Sequence, residues 1–143
     1  MDAGVYENYS VLMSVYHKEK PAHLEQAIES IQRQTRPADD FVLVCDGPLS
    51  AELDTVITEK QRELGAVLHV VRLMKNGGLG SALNAGIACC KNELVARMDS
   101  DDIAYPERCE KQLAVFCAHP EISICSGTVE EFSASPEIVD VRR

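Results

Sequence analysis

Three carboxylates stand within four consecutive residues, in the segment Asp99-Ser100-Asp101-Asp102. Like charges this close repel one another and make ionisation costly. A divalent cation removes that cost, and carboxylate oxygens suit Mg²⁺ or Mn²⁺, which usually take further ligands from substrate phosphates. A solvated turn that caps the following helix is the competing interpretation, because Asp is common at helix N-caps. The segment therefore predicts either a metal site or a capping turn.

Single residues elsewhere could contact a nucleotide. Asp46, in an Asp-Gly-Pro sequence, could accept hydrogen bonds from a base or a ribose, although a turn-forming role is favoured for this residue taken alone. Gly77, Gly78 and Gly80 let a backbone approach a ligand closely, or form a tight turn that enters a helix. Tyr16 could stack on a base, or be half-buried structure.

Several familiar catalytic motifs are absent from the sequence. The segment that begins at Gly78 lacks the third glycine of G-x-G-x-x-G and follows the third predicted strand, so it is a poor dinucleotide fingerprint. No G-x-S-x-G, Walker or H-E-x-x-H pattern occurs. We interpret the scattered histidines as surface or structural residues: His17, His23, His69 and His119.

The charge balance limits the possible partners. The 143 residues carry 14 Lys and Arg against 23 Asp and Glu, a formal net charge of −9. Nucleic acid is disfavoured because phosphate backbones need Lys and Arg to replace their counterions, and a bare anion would be repelled unless a metal ion accompanies it. Hydrophobic residues make up 45% of the chain and charged residues 26%, which predicts one soluble globular domain with a real core.

The six cysteines include no C-x-x-C pair, which disfavours a zinc ribbon or a thioredoxin-type site. Most fall in apolar runs, so we expect reduced, buried, small hydrophobic side chains in a reducing cytoplasm. Residues 1–9 are polar and do not resemble a signal peptide. No apolar run approaches the ~20 residues of a membrane helix.

Short apolar runs alternate with amphipathic segments along the chain. The runs at 10–16, 41–45, 67–73 and 94–98 predict buried strands, and a fifth strand is expected to start at 122–125 and to run on towards Phe132. Helices are expected after Lys20-Pro21, from Ser50 to Gly65, from Ser81 to Lys91, and from Tyr105-Pro106 to Pro120. Residues 133–143 are polar and show no clear period.

Strand and helix alternate four times before the last strand, which predicts an α/β fold with three layers, α/β/α, and an open, mostly parallel sheet. Ligands of such sheets bind beyond the carboxyl ends of the strands. The candidate segments all follow predicted strands, so we expect them at one edge of the sheet: 14–18, 46–48, 75–84 and 99–102.

Taken together, residues 10–132 resemble the inverting family 2 glycosyltransferases, which have the Rossmann-like GT-A fold. Ser10 to Lys18 looks like the first strand and nucleotide loop of that family, and Leu24 to Thr35 looks like its first helix, which commonly ends in Ser-Ile/Leu-x-x-Gln-Thr. Asn76 to Ile87 is similar to its Asn-x-Gly-x-x-x-Ala-x-Asn-x-Gly segment, and Asp99 to Asp102 fits its D-x-D motif. The local sequences around Asp46 and Asp99, which are Val44 to Pro48 and Ala96 to Asp102, look most like those of bacterial enzymes of amylovoran, O-antigen and other exopolysaccharide biosynthesis.

The resemblance implies a nucleotide site. Ser14 and Tyr16 would line the nucleotide pocket, with Tyr16 near the base. Asp46 would bind the edge of the base, usually uracil in this family. Gly78 and Asn84 would lie along the nucleotide.

The resemblance also implies a metal ion, Mn²⁺ or Mg²⁺, on the donor diphosphate. Asp101 would be its protein ligand, with Asp102 in support, and Asp99 would contact the ribose or the donor sugar. An acidic site can hold an anionic donor through such an ion, which also stabilises the departing diphosphate.

The family further implies transfer of a hexose, with inversion, from a nucleotide diphospho-sugar to a saccharide or lipid-linked saccharide. The general base and the acceptor site normally lie beyond the point that corresponds to Arg143. We therefore expect residues 1–143 to form a single donor-binding domain of a longer enzyme, with 1–9 and 133–143 flexible. The resemblance also implies a cytoplasmic location, which includes the inner face of the plasma membrane. Any peripheral association with the membrane would be made by parts of the longer enzyme outside residues 1–143.

Two other functions fit the same residues. A non-catalytic module that senses nucleotide sugars would bind the same ligand without transferring the sugar. An Asp-dependent phosphoryl-transfer domain would use Asp99 or Asp101 as nucleophile, although such folds usually carry that residue after an early strand rather than the fourth.

Overall fold

The computed structural model describes residues 7–127, 130–132 and 139–142. Strands and helices alternate through most of this part of the chain, as the apolar runs predict. The elements, in chain order, are β1 Ser10–Val15, α1 Pro21–Gln32, β2 Asp40–Cys45, α2 Ala51–Leu64, β3 Leu68–Arg72, α3 Leu79–Ile87, β4 Val95–Asp99, α4 Arg108–Ala118, β5 Glu130–Phe132 and β6 Val139–Arg142. A short 3₁₀ turn, Gly65–Val67, leads into β3.

The first four strands form one parallel sheet in the order β3-β2-β1-β4. β2 is buried along its whole length and β1 nearly so, because each lies between two other strands with helices on both faces. This explains why both read as continuous apolar runs rather than as alternating ones. The predicted open parallel sheet is confirmed.

Helices cover both faces of the sheet. On one face α1 and α2 pack on the sheet through Leu24, Ile28 and Ile57, in one cluster with Val11 and Met13. On the other face α3 packs its Ala82 with the side chains that alternate with these, among them Leu12 and Val44. The predicted three-layer α/β/α arrangement is therefore confirmed.

Local signals begin α1 and bound α2 where the sequence predicts, whereas α3 runs from Leu79 to Ile87 rather than from Ser81 to Lys91. Pro21 occupies the first turn of α1, where its missing N–H leaves no hydrogen bond unmade. The Ser50 hydroxyl accepts a hydrogen bond from the Leu53 amide, 3.1 Å away, and so caps α2. Gly65 ends that helix with φ +60°, a conformation that favours glycine. None of the described helices is long and apolar enough to cross a membrane.

The start predicted for the fifth strand, at 122–125, is wrong, because described residues 122–127 form no strand; only the predicted end, near Phe132, lies in one. Ile124 is 86% exposed there, so this short apolar run is not a buried strand. β5 and β6 instead pair antiparallel in a separate two-stranded sheet, with an irregularity between Glu131 and Phe132. β6 lies where the sequence shows no clear period.

The predicted flexibility of 1–9 and 133–143 falls mostly outside the described residues, since 1–6, 133–138 and 143 are not among them. Tyr9 is buried, and its hydroxyl donates a hydrogen bond to the Arg36 carbonyl, 2.5 Å away. All six cysteines are free, as predicted; Cys45 and Cys109 are buried and the other four are partly buried.

Candidate functional site

The carboxyl ends of β1, β2 and β4 bring several predicted residues to one edge of the sheet. Ser14 lies opposite Asp99 in the pairing of β1 with β4, and opposite Val44 in the pairing of β1 with β2. Asp46 follows β2 directly, and its amide donates a hydrogen bond to the Val15 carbonyl, 2.8 Å away. Two of the predicted segments are thus anchored to the end of β1.

The three aspartates after β4 form a compact cluster. One carboxylate oxygen from each of Asp99, Asp101 and Asp102 lies within 4.8 Å of the others, and all three residues are exposed. The Asp102 amide donates to the Asp99 carbonyl at 3.2 Å, which closes the turn, while Ser100 is buried. Residues 99–102 are called the aspartate turn below.

The aspartate turn does not cap α4. That helix begins at Arg108, and the residue at its N-cap is Glu107, whose side chain makes no capping hydrogen bond. Asp102 lies five residues earlier in the chain. The capping interpretation of the cluster is therefore wrong, and the three aspartates are exposed to solvent.

The electrostatics of the aspartate turn favour a cation. Burial raises the pKa of Asp102, and the neighbouring Asp101 and Asp99 carboxylates raise it further, against the opposing effect of Arg108 and Arg97. Arg97 Nη2 lies 3.1 Å from Asp99 Oδ1, so part of the negative charge is already paired. Three oxygen donors at this spacing, carrying unfavourable mutual repulsion, fit Mg²⁺ or Mn²⁺.

Glu19 is a further acidic residue at this edge that the sequence analysis does not single out. Burial raises its pKa, the nearby Asp101 carboxylate raises it further, and a hydrogen bond with Ser100 acts in the opposite direction. Its Oε1 atom is buried and accepts no hydrogen bond in the described part of the chain, with His23 Nδ1 3.8 Å away. The sequence feature that could have identified Glu19 is its position in the loop that follows β1, at the same sheet edge as the aspartates.

Asp46 is committed to the loop that precedes α3. Its two carboxylate oxygens accept hydrogen bonds from the amides of Gly77 and Gly78, at 2.9 and 3.1 Å. The Asn76 side-chain amide donates to the Asp46 carbonyl at 3.2 Å. Gly47 has φ +91°, and a Cβ there would lie 2.6 Å from the Asn76 backbone nitrogen. The glycine segment is therefore held closely against the end of β2.

The other predicted nucleotide contacts lie on separate elements. Gly78 is the N-cap of α3, with φ +93°, and Asn84 is exposed on the same helix. Tyr16 follows β1, is 43% exposed, and meets His17 edge to face with ring centroids 5.6 Å apart. The described contacts join Ser14 with Asp99, and Asp46 with Gly78. Tyr16 and Asn84 are exposed, and no described contact joins either of them to these pairs.

An apolar cavity of about 950 Å³ adjoins the aspartate turn. It runs along β4 and α4, and residues 123–127 form part of its wall. Asp99 and Asp102 contribute to its lining together with Arg97 and Arg108. None of the four histidines lines this cavity, and all four are exposed, as predicted.

Comparison with known proteins identifies the family to which the chain belongs. The family described as glycosyl transferase family 2 matches residues 10–143. The amylovoran biosynthesis glycosyltransferase AmsE of Erwinia amylovora is 51% identical over 87% of this chain and 46% of its own length. A UDP-Gal:alpha-D-GlcNAc-diphosphoundecaprenol beta-1,3-galactosyltransferase of Escherichia coli is 39% identical over 90% of this chain and 46% of its own length. The chain thus spans about half the length of these curated relatives.

Solved structures agree on the fold. The S. aureus TarS fragment 1–349 in complex with UDP-GlcNAc superposes with a TM-score of 0.67 and 28% identity, over 79% of this chain and 32% of that one. The mannosyltransferase PcManGT from Pyrobaculum calidifontis, in complex with GDP-Man and Mn²⁺, superposes with a TM-score of 0.67 over 83% of this chain and 34% of that one. Its identity is 20%, so this second likeness supports the fold alone.

Proposed function

The chain belongs to glycosyl transferase family 2, and from that membership we propose that it binds the nucleotide diphospho-sugar donor of a glycosyltransferase through a divalent cation. The observation that carries this proposal is the aspartate turn, whose three carboxylates converge within 4.8 Å at the carboxyl end of β4. Ligands of open parallel sheets bind at this edge.

A UDP-sugar is the proposed donor. The TarS structure that resembles this chain holds UDP-GlcNAc, and the relative from Escherichia coli is named for UDP-Gal. In this proposal Tyr16 stacks near the base, and the Asp46 carboxylate accepts a hydrogen bond from the edge of the base. Ser14 lines the pocket. Gly78 and Asn84 lie along the nucleotide.

Asp101 and Asp102 are the proposed metal ligands, and Asp99 contacts the ribose or the donor sugar. A bound Mn²⁺ or Mg²⁺ would supply charge neutralisation to the diphosphate and so stabilise it as a leaving group. The chain's own contribution is to keep the three carboxylates close together and exposed, next to the neutralising guanidinium of Arg97.

The acceptor side of the reaction is proposed from the relatives. The names of two of them refer to amylovoran biosynthesis and to a diphosphoundecaprenol-linked acceptor. We therefore propose transfer, with inversion, to a saccharide or lipid-linked saccharide in cell-surface polysaccharide synthesis. A reducing cytoplasm is the proposed compartment, because all six cysteines are free. We assign the general base to none of the described residues.

The donor-binding proposal is tested by thermal unfolding with UDP, with and without MnCl₂. We expect UDP to raise the melting temperature only when Mn²⁺ or Mg²⁺ is present, because the metal offsets repulsion between the diphosphate and the acidic edge. Asp101→Asn should abolish that shift and leave the unliganded melting temperature close to that of the parent, since Asp101 is exposed.

Glu59→Gln is the matched control, since it removes one negative charge from an exposed position on α2. It should respond to UDP and Mn²⁺ as the parent does. An Asp101→Asn variant that binds UDP with Mn²⁺ as well as the parent would show that the metal assignment is wrong. Metal-dependent UDP binding without sugar transfer by an otherwise complete enzyme would favour the non-catalytic module. The family match leaves the phosphoryl-transfer interpretation without an observation in its favour.

A further inference from the structure

Gln34 lies just beyond the end of α1, and its side chain crosses to the segment that follows the aspartate turn. The residue is only 4% exposed. Its Nε2 atom donates to the carbonyls of Ser30, at 3.1 Å, and Tyr105, at 2.7 Å. Its Oε1 atom accepts from the Cys109 amide at 2.9 Å. One buried side chain thus joins α1 both to the loop before α4 and to the first turn of α4.

Two neighbours of Gln34 hold the same segment. The Ser30 hydroxyl accepts from the Ala104 amide at 3.0 Å. The Thr35 amide donates to the Pro106 carbonyl at 2.8 Å, and its hydroxyl donates to a Glu110 carboxylate oxygen at 2.6 Å. The first of these anchors lies two residues after Asp102, so the attachment begins almost at the aspartates themselves.

The other side of the aspartate turn is held by the sheet. Asp99 is the last residue of β4 and lies opposite Ser14 of β1. The turn is therefore suspended between β1, which fixes its start, and the end of α1, which fixes the segment after it. Between these two anchors, carboxylates that repel one another must stay within reach of one ion.

We propose that Gln34 is a positioning residue for this metal centre: it holds the aspartate turn in the geometry in which a divalent cation can bind. The proposal rests on the metal-dependent donor binding proposed above. A preorganised ligand set binds more tightly because less conformational entropy is lost when the ion arrives. The Ser-Ile-x-x-Gln-Thr motif at and beyond the end of α1 therefore has a specific role in this proposal. It holds the segment that follows the aspartates in a fixed position.

A purely structural role would predict a different result. In that case loss of Gln34 would lower stability as any buried hydrogen-bonding residue does, without a specific effect on the metal. Asn92 offers the comparison, because its partly buried side-chain amide donates to Asp39 Oδ1 at 2.7 Å and to the Ser10 hydroxyl at 3.3 Å. Ser10 begins β1, so this network lies at the opposite edge of the sheet from the aspartates.

The experiment measures binding of MnCl₂ alone to the parent chain, Gln34→Met and Asn92→Leu, by the loss of the electron paramagnetic resonance signal of free Mn²⁺. Both substitutions keep the approximate size of the side chain and remove its hydrogen bonds. We expect Gln34→Met to weaken Mn²⁺ binding by about tenfold, comparable to the loss of an outer-shell hydrogen bond, although Gln34 acts through the segment that follows the aspartates rather than by contact with them. Asn92→Leu should change it by less than about twofold, although both variants unfold at a lower temperature than the parent.

Gln34→Glu tests the same point if Gln34→Met fails to fold. At this buried position the neutral carboxylic acid is favoured; it keeps an acceptor for the Cys109 amide and its single O–H can donate to only one of the Tyr105 and Ser30 carbonyls, so an intermediate loss of Mn²⁺ affinity is expected. Parent-like affinity in the Gln34 variants, with Asp101→Asn still defective, would overturn the positioning role alone. Equal losses of Mn²⁺ affinity in the Gln34 and Asn92 variants would also overturn it, because they would show that any loss of stability weakens binding. A parent chain that binds no Mn²⁺ either alone or with UDP present would overturn the proposed function and this inference together. If the parent binds Mn²⁺ only with UDP present, the same variants are compared in that mixture.

Discussion

The two carboxylate oxygens of Asp46 are each engaged by a backbone amide of the loop before α3. A carboxylate has room for further hydrogen bonds, so this bracing is compatible with a nucleobase contact. It also gives Asp46 a structural task that exists before any ligand binds. The turn-forming role of Asp46 is therefore compatible with the base contact proposed for it.

Asp46→Asn should destabilise the chain even without nucleotide. Asparagine presents one oxygen and one NH₂ group, so one of the two Gly amides would face a donor and lose its partner. We expect a loss of about 1 kcal/mol in the free energy of unfolding, the lower end of the cost of an unpaired donor, because Gly77 is exposed and Gly78 half-buried. Urea unfolding would measure the loss, and faster hydrogen exchange of the Gly77 and Gly78 amides would locate it.

Asp54→Asn provides the control for Asp46→Asn. Asp54 pairs with Arg72 at 2.8 Å, but both side chains are about half exposed, and such surface pairs contribute about 0–1 kcal/mol. If Asp46→Asn were no more damaging than Asp54→Asn, and exchange of the two glycine amides were unchanged, the bracing would be of no consequence.

Cys45 should make stability fall at high pH. Burial raises the pKa of its thiol from 9.0 to about 11. The neutral thiol is thus favoured in the folded state, so its contribution is complete below pH 9.0 and is lost as the pH rises towards about 11. Urea unfolding at pH 8.5 and at pH 10.5 should show this decline.

Cys45→Ala separates this effect from other ionisations, since burial also raises the pKa of Tyr9 and acts in the same direction. The variant should be less stable than the parent at pH 8.5 because it opens a cavity, yet decline less steeply towards pH 10.5. Parallel declines in the two proteins would contradict the assignment to Cys45.

Among the elements, α3 lies unusually close to the sheet. A Cβ on Gly86 would stand 2.4 Å from Leu12 Cδ1 and 2.6 Å from Val44 Cγ2, so glycine permits this approach. A Cβ on Gly80, in the first turn of the same helix, would meet no atom within 4 Å. The two glycines of the segment therefore have different physical reasons to be there.

Gly86→Ala should destabilise by about 1–3 kcal/mol, the usual cost of overpacking a filled core. Gly80→Ala should be neutral or stabilise by up to about 1 kcal/mol, because alanine has the higher helix propensity and here meets open space. Chemical denaturation of both variants measures the difference. Equal effects at the two positions would show that the close contact with Leu12 and Val44 is not limiting.

The sequence predicts the elements well where a run is buried on both sides. β1 and β2 lie between neighbouring strands and under two helical layers, so their apolar residues are continuous, and α1 shows one apolar face. The run at 122–125 is of the same apolar kind but is not buried as a strand, and four residues carry no information about whether a partner exists. The short strands β5 and β6 depend on pairing between distant residues, which periodicity does not report.

The site divides in the same way. The aspartate cluster is local in sequence, so its composition alone raises a metal site as one of two interpretations, beside a capping turn. The bracing by Gln34 joins residues 71 and 75 positions apart, and the sequence offers only the motif, without its partners. Glu19 likewise reaches the cluster from a loop that is close in space and distant along the chain.

At the scale of the whole molecule, the net charge of −9 is concentrated in part at the edge where the donor is proposed to bind. Exposed charges farther apart than about 8 Å are largely screened at physiological ionic strength. The aspartates lie within that distance, so monovalent salt relieves their repulsion incompletely. A divalent cation bound among the aspartates would offset the repulsion that remains after screening by salt.

MnCl₂ should therefore stabilise the chain beyond what NaCl achieves at equal ionic strength. At a Mn²⁺ concentration about ten times the dissociation constant, binding adds about 1.4 kcal/mol, which corresponds to roughly 2–6 °C in melting temperature for a domain of this size. Asp101→Asn should lose this extra shift and keep the response to NaCl, whereas Glu59→Gln should keep both. If Mn²⁺ and ionic-strength-matched NaCl raised the melting temperature of the parent equally, the acidic edge would be screened like any charged surface and would hold no specific ion.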